Sequence, residues 1–419
     1  MKIAVIGGGS TYTPELIEGL VRRPELHVEE VVLHDIDESR LDVVGGLARR
    51  MVGAAGWGGR CWSTTDLDAA IDSAGAVLLQ LRVGGQAARF KDETIPLEYG
   101  CLGQETTGPG GFMKALRTVP VVLDIAERVD RTAAPGAWIV DFTNPVGIVT
   151  RALLDAGHRA VGLCNVAIGF QRRIAHLLGV EPGRVQLEQV GLNHLSWIRA
   201  VRVDGTDRLP DLLDTFGEAL ADEIDVPVEL LRTIGAIPSY YLHYFYCRSE
   251  ALEAMRRGPT RAEEVMAIER DLLTMYADPA LTTKPALLEE RGGAFYSEAA
   301  AQLVSSLVND TGDVQVVDVR NDGTIDGLPD DAVVEVPCVI DGDGAHPVRQ
   351  RPLAPEMLGL VQHVTAYEQL TIEAALTGNR SVALRALLAN PLVGEWSVSR
   401  PMLDALIDAN RPLLPSYWS

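Results

Sequence analysis

A chain of 419 residues, 47% hydrophobic and 23% charged, is long enough for two domains that share an interface and has the balance of an ordinary soluble globular protein. Its formal net charge of −21 argues against nucleic acid or an anionic membrane as partner, so any anionic substrate must be held by locally placed arginines. Five cysteines without a C-x-x-C pair, no apolar run near the roughly 20 residues of a membrane span, and an opening strand without signal-peptide flanks predict reduced thiols and a cytoplasmic location.

The first element is a short apolar strand, Lys2 to Ile6, that runs into Gly7-Gly8-Gly9-Ser10-Thr11-Tyr12 and a helix opening at Thr13-Pro14. Glycines let the backbone approach a pyrophosphate, whose charge is met by N–H groups at the helix N-terminus. A second strand, Val31 to Asp35, ends in an acid 23 residues after Tyr12. An acid there accepts hydrogen bonds from the adenosine ribose and favours NAD over NADP. Tyr12 stands where a third glycine usually allows close helix–strand packing.

Helical spacing follows from Pro14 to Val21 and from Glu38 to Val52. Ala74 to Leu81 is a nearly continuous apolar run, as expected of a parallel strand buried on both faces. A helix over Val119 to Val129 and strands over Ala137 to Phe142 and Ala160 to Cys164 complete an alternating pattern. That pattern predicts a doubly wound parallel sheet with its ligand outside the carboxyl ends of the strands. Beyond residue 165, Arg184 to Val190 and Leu195 to Val203 read as strands of a different sheet, and helices are expected over Thr260 to Met275, Glu298 to Val308, Pro355 to Leu376 and Pro401 to Asn410. The expected organisation is an N-terminal Rossmann-like domain, residues 1–165, packed on a C-terminal α+β substrate domain, residues 166–419, with the active site at the junction.

Four polar segments follow the predicted strands: Leu81 to Gly85 leading to Arg89, the flexible glycine-rich stretch Cys101 to Gly111, Phe142-Thr143-Asn144-Pro145, and Cys164-Asn165. Each alone reads as a βα turn; together they read as a site. Cys164 and His194 lie 30 residues apart, each beside an asparagine. Thiolate and imidazole are competent ligands for a divalent metal, but two ligands cannot close a structural site. Taken alone, the pair reads first as a buried free cysteine and a hydrogen-bonded histidine. Tyrosines concentrate between Tyr240 and Tyr246. A cation nearby can lower a tyrosine's pKa enough to make it a base, and Arg261 and Arg291 are candidate partners.

Several of these segments are long and specific, and together they resemble glycoside hydrolase family 4, the NAD- and metal-dependent glycosidases. The resemblance rests on Gly7 to Pro14, Arg82-Val83-Gly84, Gly103-Gln104-Glu105-Thr106, Gly108 to Gly111, Asn144-Pro145, Cys164-Asn165, Gly191 to His194 and Tyr241-Leu242, and runs nearly end to end. It implies hydrolysis by oxidation of the sugar at C3 with bound NAD, removal of the C2 proton by a tyrosine, elimination, water addition at C1 and re-reduction. It also implies a divalent metal, usually manganese. By position, Tyr241 matches the base, Cys164 and His194 the metal ligands, and Asn144, Asn165, Arg89 and Arg261 the substrate-binding set, with Arg89 on a sugar 6-phosphate. Gly7, Gly9, Ser10, Thr11, Asp35 and Arg82 make up the NAD set. Cys-Asn resembles members acting on 6-phospho-β-glucosides, whereas Cys-Asp resembles the 6-phospho-α-glucosidases; Ala167 departs from the common Cys-Asn-Val-Pro. The resemblance further implies a phosphorylated glycoside as substrate and a homodimer or homotetramer. A hydroxy-acid dehydrogenase on a related fold is the alternative of a different class, and it requires a histidine–acid pair for proton relay.

Overall fold

Parallel pairing joins Lys2–Ile6 (β1), Glu30–His34 (β2), Arg60–Thr64 (β3), Ala76–Leu79 (β4), Trp138–Asp141 (β5) and Ala160–Gly162 (β6) in the order β3-β2-β1-β4-β5-β6. This is the doubly wound dinucleotide order, with its switch point between β1 and β4. The computed structural model describes residues 1–293 and 295–418. The central strands are buried on both faces, as their apolar runs predict. β3, Arg-Cys-Trp-Ser-Thr, escapes sequence reading because it is an edge strand with only partly buried residues.

Helix starts follow local chemistry. Pro14 occupies the first turn of Thr13–Val21, and Asp37 caps Glu38–Ala54 by accepting the Arg40 N–H at 3.0 Å. Thr260 caps Arg261–Tyr276 through a reciprocal pairing with Glu263, so the helix begins one residue later than its periodicity suggests. The stretch Cys101 to Gly111 is not a flexible loop. Gly108–Thr132 is one long helix, and Gly108 to Gly111 are buried in its first turns. A Cβ at Gly110 or Gly111 would stand 2.3 Å from the carbonyl oxygen of Gln104 or Thr106 respectively, so these glycines permit close packing.

The later strands do not form a separate sheet. Val185–Leu192 (β7), Leu195–Val203 (β8), Thr206–Asp207 (β9), Ile237–Pro238 (β10), Asp313–Arg320 (β11), Val333–Asp341 (β12) and Gly344–Pro347 (β13) extend the first sheet by antiparallel pairing. β11 lies on β6 at Asp318 and Gly162, and β12 meets β7 at Glu335 and Gly191. Without β11, β6 would leave an open edge. The observed α/β fold therefore places the strand ends of both parts along one continuous surface. Among the described residues, no helix is long and apolar enough to cross a membrane.

Asp141 ends β5 fully buried, accepting the Thr143 N–H at 2.9 Å and the Thr150 hydroxyl at 3.3 Å, with no ion pair among the described residues. Burial pushes its carboxyl up to about 8. Unfolded, it ionises near 3.9, so between those values the folded state holds the extra proton and stability falls as pH rises. Asp141→Asn is expected to be more stable than the parent at pH 8, by on the order of a few kcal/mol, and indistinguishable from it at pH 4. Urea denaturation at both pH values checks this; equal pH slopes would show that Asp141 is ionised in the fold.

Candidate active site

The glycine turn sits at the carboxyl ends of β1 and β2. Gly7 has φ of 89°, and a Cβ there would come 2.9 Å from the backbone of Gln80 and Leu81. Asp35 accepts the Gly9 N–H at 2.9 Å and the Asp37 N–H at 3.1 Å, which fixes its carboxylate over the turn where a ribose is expected. Tyr12 is no defect in the motif. Its hydroxyl donates to the Gly293 carbonyl at 2.6 Å and accepts the Ser297 N–H at 3.2 Å, tying the turn to the later part of the chain. The close backbone approach and the acid at the end of β2 fit a dinucleotide.

Strand pairing assembles the reacting end. His194 is the second residue of the two-residue turn between β7 and β8, at φ of 63°, a region histidine enters more readily than most residues. β10 pairs with β8, so the chain emerging from it lays Tyr241 on that turn: the His194 and Tyr241 rings stack at 3.5 Å, 11° from parallel. Cys164 follows β6 and leads into the helix Val166–Leu178, with Asn165 at the helix N-cap. Its sulfur accepts from the Tyr296 hydroxyl at 3.9 Å, lies 4.0 Å from Asn165 Oδ1 and is approached by the Val166 N–H.

His194 is not the hydrogen-bonded histidine that its residue type alone suggests; no described residue hydrogen-bonds its ring. Burial and the Lys114 charge lower its pKa to about 3, so the imidazole is neutral. Burial also pushes the Cys164 thiol up. A neutral imidazole and a buried thiol with no strong partner form a donor set that a divalent cation would complete, drawing the thiol to thiolate. Tyr241 hydrogen-bonds no described residue, and burial raises its pKa while Arg89 opposes the rise. Asn144 lies nearby in sequence after β5, with Oδ1 buried and unpartnered.

A cleft of about 1020 Å³ opens beside this cluster, lined in part by Arg89, Glu105, Asn165, Tyr241, Arg261 and Phe295. Glu105 organises its cationic side. Both oxygens of its buried carboxylate meet the Arg82 guanidinium, Lys114 Nζ lies at 2.8 Å and Arg89 at 3.4 Å. These cations hold the carboxyl well below its ordinary range, against the effect of burial. Arg89 also donates to Glu93 at 2.6 Å. Arg82 also feels the charge of Glu269, whose carboxylate accepts from Thr11 in the glycine turn.

Arg261 and Arg291 do not flank Tyr241 as a pair. Arg261 sits half exposed at the rim, bonded to Glu264 and the Glu290 carbonyl. Arg291 belongs to the glycine turn, 3.4 Å from Ser10 Oγ. Sequence reading quotes Glu105 only within a motif and does not single out Lys114 or Tyr296 at all. Tyr296 becomes visible only when Phe142, Cys164 and Tyr12 are brought around it in space.

Residues 2–180 match the Family 4 glycosyl hydrolase family, and residues 189–393 match the Family 4 glycosyl hydrolase C-terminal domain. The chain is 42% identical over 435 residues to a "Probable 6-phospho-beta-glucosidase" of Bacillus subtilis, covering 100% of this chain and 98% of that one. It is 30% identical to a phospho-alpha-glucosidase of Clostridium acetobutylicum, covering 100% and 98%. The solved 6-phospho-beta glucosidase of Thermotoga maritima with manganese, NAD+ and glucose-6-phosphate superposes with a TM-score of 0.93 at 37% identity, covering 99% of each chain.

Proposed function

The chain belongs to family 4 of the glycosyl hydrolases, and on that premise we propose that it is a 6-phospho-β-glucosidase using NAD and a divalent cation, manganese by preference. One observation carries the reading. Tyr241 stacks on His194 and lies close to Cys164, and it lines one cleft together with Arg89, which supports reading them as base, metal donors and phosphate anchor. The β assignment follows the higher identity to the β-acting relative and Asn165 after Cys164. A cytoplasmic homodimer or homotetramer is part of the same reading.

NAD supplies a reversible hydride acceptor for the sugar C3, and the cation supplies positive charge at O2 and O3; both end the cycle unchanged. The chain's own residues do the rest. Arg89, supported by Glu93 and Glu105, holds the 6-phosphate. The unpartnered Asn144 Oδ1 accepts a hydroxyl that would otherwise leave it unpaired, and Asn165 orients the ring from the helix start. With a divalent cation bound, its charge would draw off the Tyr241 phenol proton that burial otherwise retains. The phenolate would take the proton from C2, acidified by the adjacent ketone. The glycosidic oxygen leaves from C1 with a proton from solvent, water adds at C1, and the hydride returns to C3. Arg261 screens the open rim. A hydroxy-acid dehydrogenase needs a histidine–acid relay, and His194 has no carboxylate partner among the described residues.

The test is nitrophenol release from p-nitrophenyl 6-phospho-β-glucoside under reducing conditions. Release is expected only with NAD and Mn²⁺ together, without net NADH. No release with both present, or faster release from the α anomer, overturns the reading or its anomeric part. Arg89→Ala should raise KM for the phosphorylated substrate about 10- to 100-fold. An equal loss on the unphosphorylated glycoside removes the phosphate role.

A further inference from the structure

Glu269 projects from the helix Arg261–Tyr276 into the glycine turn, some 230 to 260 residues away in sequence from its partners there. Its buried carboxylate accepts from the Thr11 hydroxyl at 3.3 Å, Gln86 Nε2 at 3.1 Å, Arg40 at 3.3 Å and Arg291 at 3.1 Å. Arg40 also donates from Nε to the Gly9 carbonyl at 3.2 Å. Two guanidinium groups are therefore gathered by one carboxylate, leaving local positive charge in a chain of net charge −21. Arg291 approaches Ser10 Oγ to 3.4 Å and lies over the Tyr12 ring at 5.9 Å.

Two donors at this place lack acceptors. Arg291 Nε is buried with no hydrogen-bond partner. Along the turn from Gly7 to Thr13, every backbone N–H but that of Thr11 has an acceptor among the described residues. Buried unpaired donors are costly, and a charged donor most of all. Unpaired donors beside a glycine turn and a helix N-terminus match the oxygens of a phosphate. A purely structural ion pair between Arg291 and Glu269 accounts for one guanidinium nitrogen and leaves Nε unexplained.

We propose that Arg291 is a pyrophosphate-binding residue of the dinucleotide site, supplied by the later part of the chain and positioned by Glu269. The proposal rests on reading the Gly7–Pro14 turn as the NAD site. The cofactor site is then complete only when the helix Arg261–Tyr276 and the segment ending at Arg291 are docked on the parallel sheet. Arg291 binds and does not react; Glu269 acts through it.

Calorimetric titration of the full-length protein with NAD+, ADP-ribose and adenosine, without sugar or metal, tests this. Arg291→Met should weaken NAD+ and ADP-ribose about 10- to 100-fold and adenosine by less than about twofold. Arg291→Lys should fall between, and Glu269→Gln should show the same selective pattern because it frees the guanidinium without deleting it. These two variants carry the test if Arg291→Met does not fold. NAD+ binding within about twofold of the parent in the variants overturns the proposal, as does an equal loss for adenosine, the mark of a structural defect. A parent protein that binds no NAD+ overturns instead the underlying reading of the turn.

Discussion

Tyr241→Phe is expected to lower kcat about 10²- to 10⁴-fold, the range lost when a positioned base is removed, with little change in substrate affinity. The substitution deletes one oxygen and keeps the ring that stacks on His194 at 3.5 Å. That oxygen hydrogen-bonds no described residue, so its loss leaves no buried partner unsatisfied and stability should hold. The defect should appear in the proton step. Turnover in deuterium oxide should incorporate solvent deuterium at C2 of glucose 6-phosphate in the parent enzyme, and the variant should slow that incorporation in proportion to kcat. Full activity would assign the base elsewhere. Tyr296 is the neighbour to examine next, since its hydroxyl already reaches Cys164, and Tyr296→Phe is the matched control.

What the sequence discloses depends on how far apart the interacting residues lie. The strand, glycine turn and helix from Lys2 to Val21 are legible because their determinants are local: an apolar run, glycines at a close approach, and proline in the first helical turn. Tyr12 is opaque for the opposite reason. The residue that explains it, Gly293, is 281 positions away. Cys164, His194 and Tyr241 are each conspicuous by type and by family resemblance, yet their adjacency depends on β7–β8 and β8–β10 pairing, which composition does not encode. Residue type alone therefore favours an ordinary cysteine and a hydrogen-bonded histidine.

The sheet shows the same limit at larger scale. β11, Asp-Val-Gln-Val-Val-Asp-Val-Arg, breaks its alternation at Val316-Val317, so no strand is read there, and its place between β6 and β12 is set by long-range pairing. Reading β7 and β8 as a separate sheet follows from missing that bridge. The polar run Gln104 to Gly111 misleads differently. Its glycines signal flexibility by composition, whereas here they serve contact: Gln104 Oε1 accepts the N–H groups of Thr106 and Thr107 at 2.6 and 2.7 Å, and the glycine-lined helix start packs against that turn.

That tight turn carries Glu105, and Glu105→Gln is expected to have the largest effect on stability, about 3–5 kcal/mol near neutral pH, because it leaves Arg82, Arg89 and Lys114 facing one another in a buried site. Lys114 gives the loss a pH signature. Burial and the two arginines lower its ammonium to about 7 although Glu105 supports the charge, so removing Glu105 must lower it further. Between the two values the parent's folded state keeps a proton that the variant's has lost, while the unfolded lysine, which titrates near 10.4, keeps it in both. The variant's deficit should therefore widen as pH falls from about 8 toward the lower value, and level off above pH 8. Denaturant titrations across that interval measure it. A constant deficit would mean that Lys114 is uncharged already in the parent. If Arg82 serves the cofactor and Arg89 the sugar phosphate, as proposed, both ligands should bind more weakly together in the variant, because the two arginines share one carboxylate. Selective loss of only one would show that the arginines are anchored separately, Arg89 by Glu93 in particular.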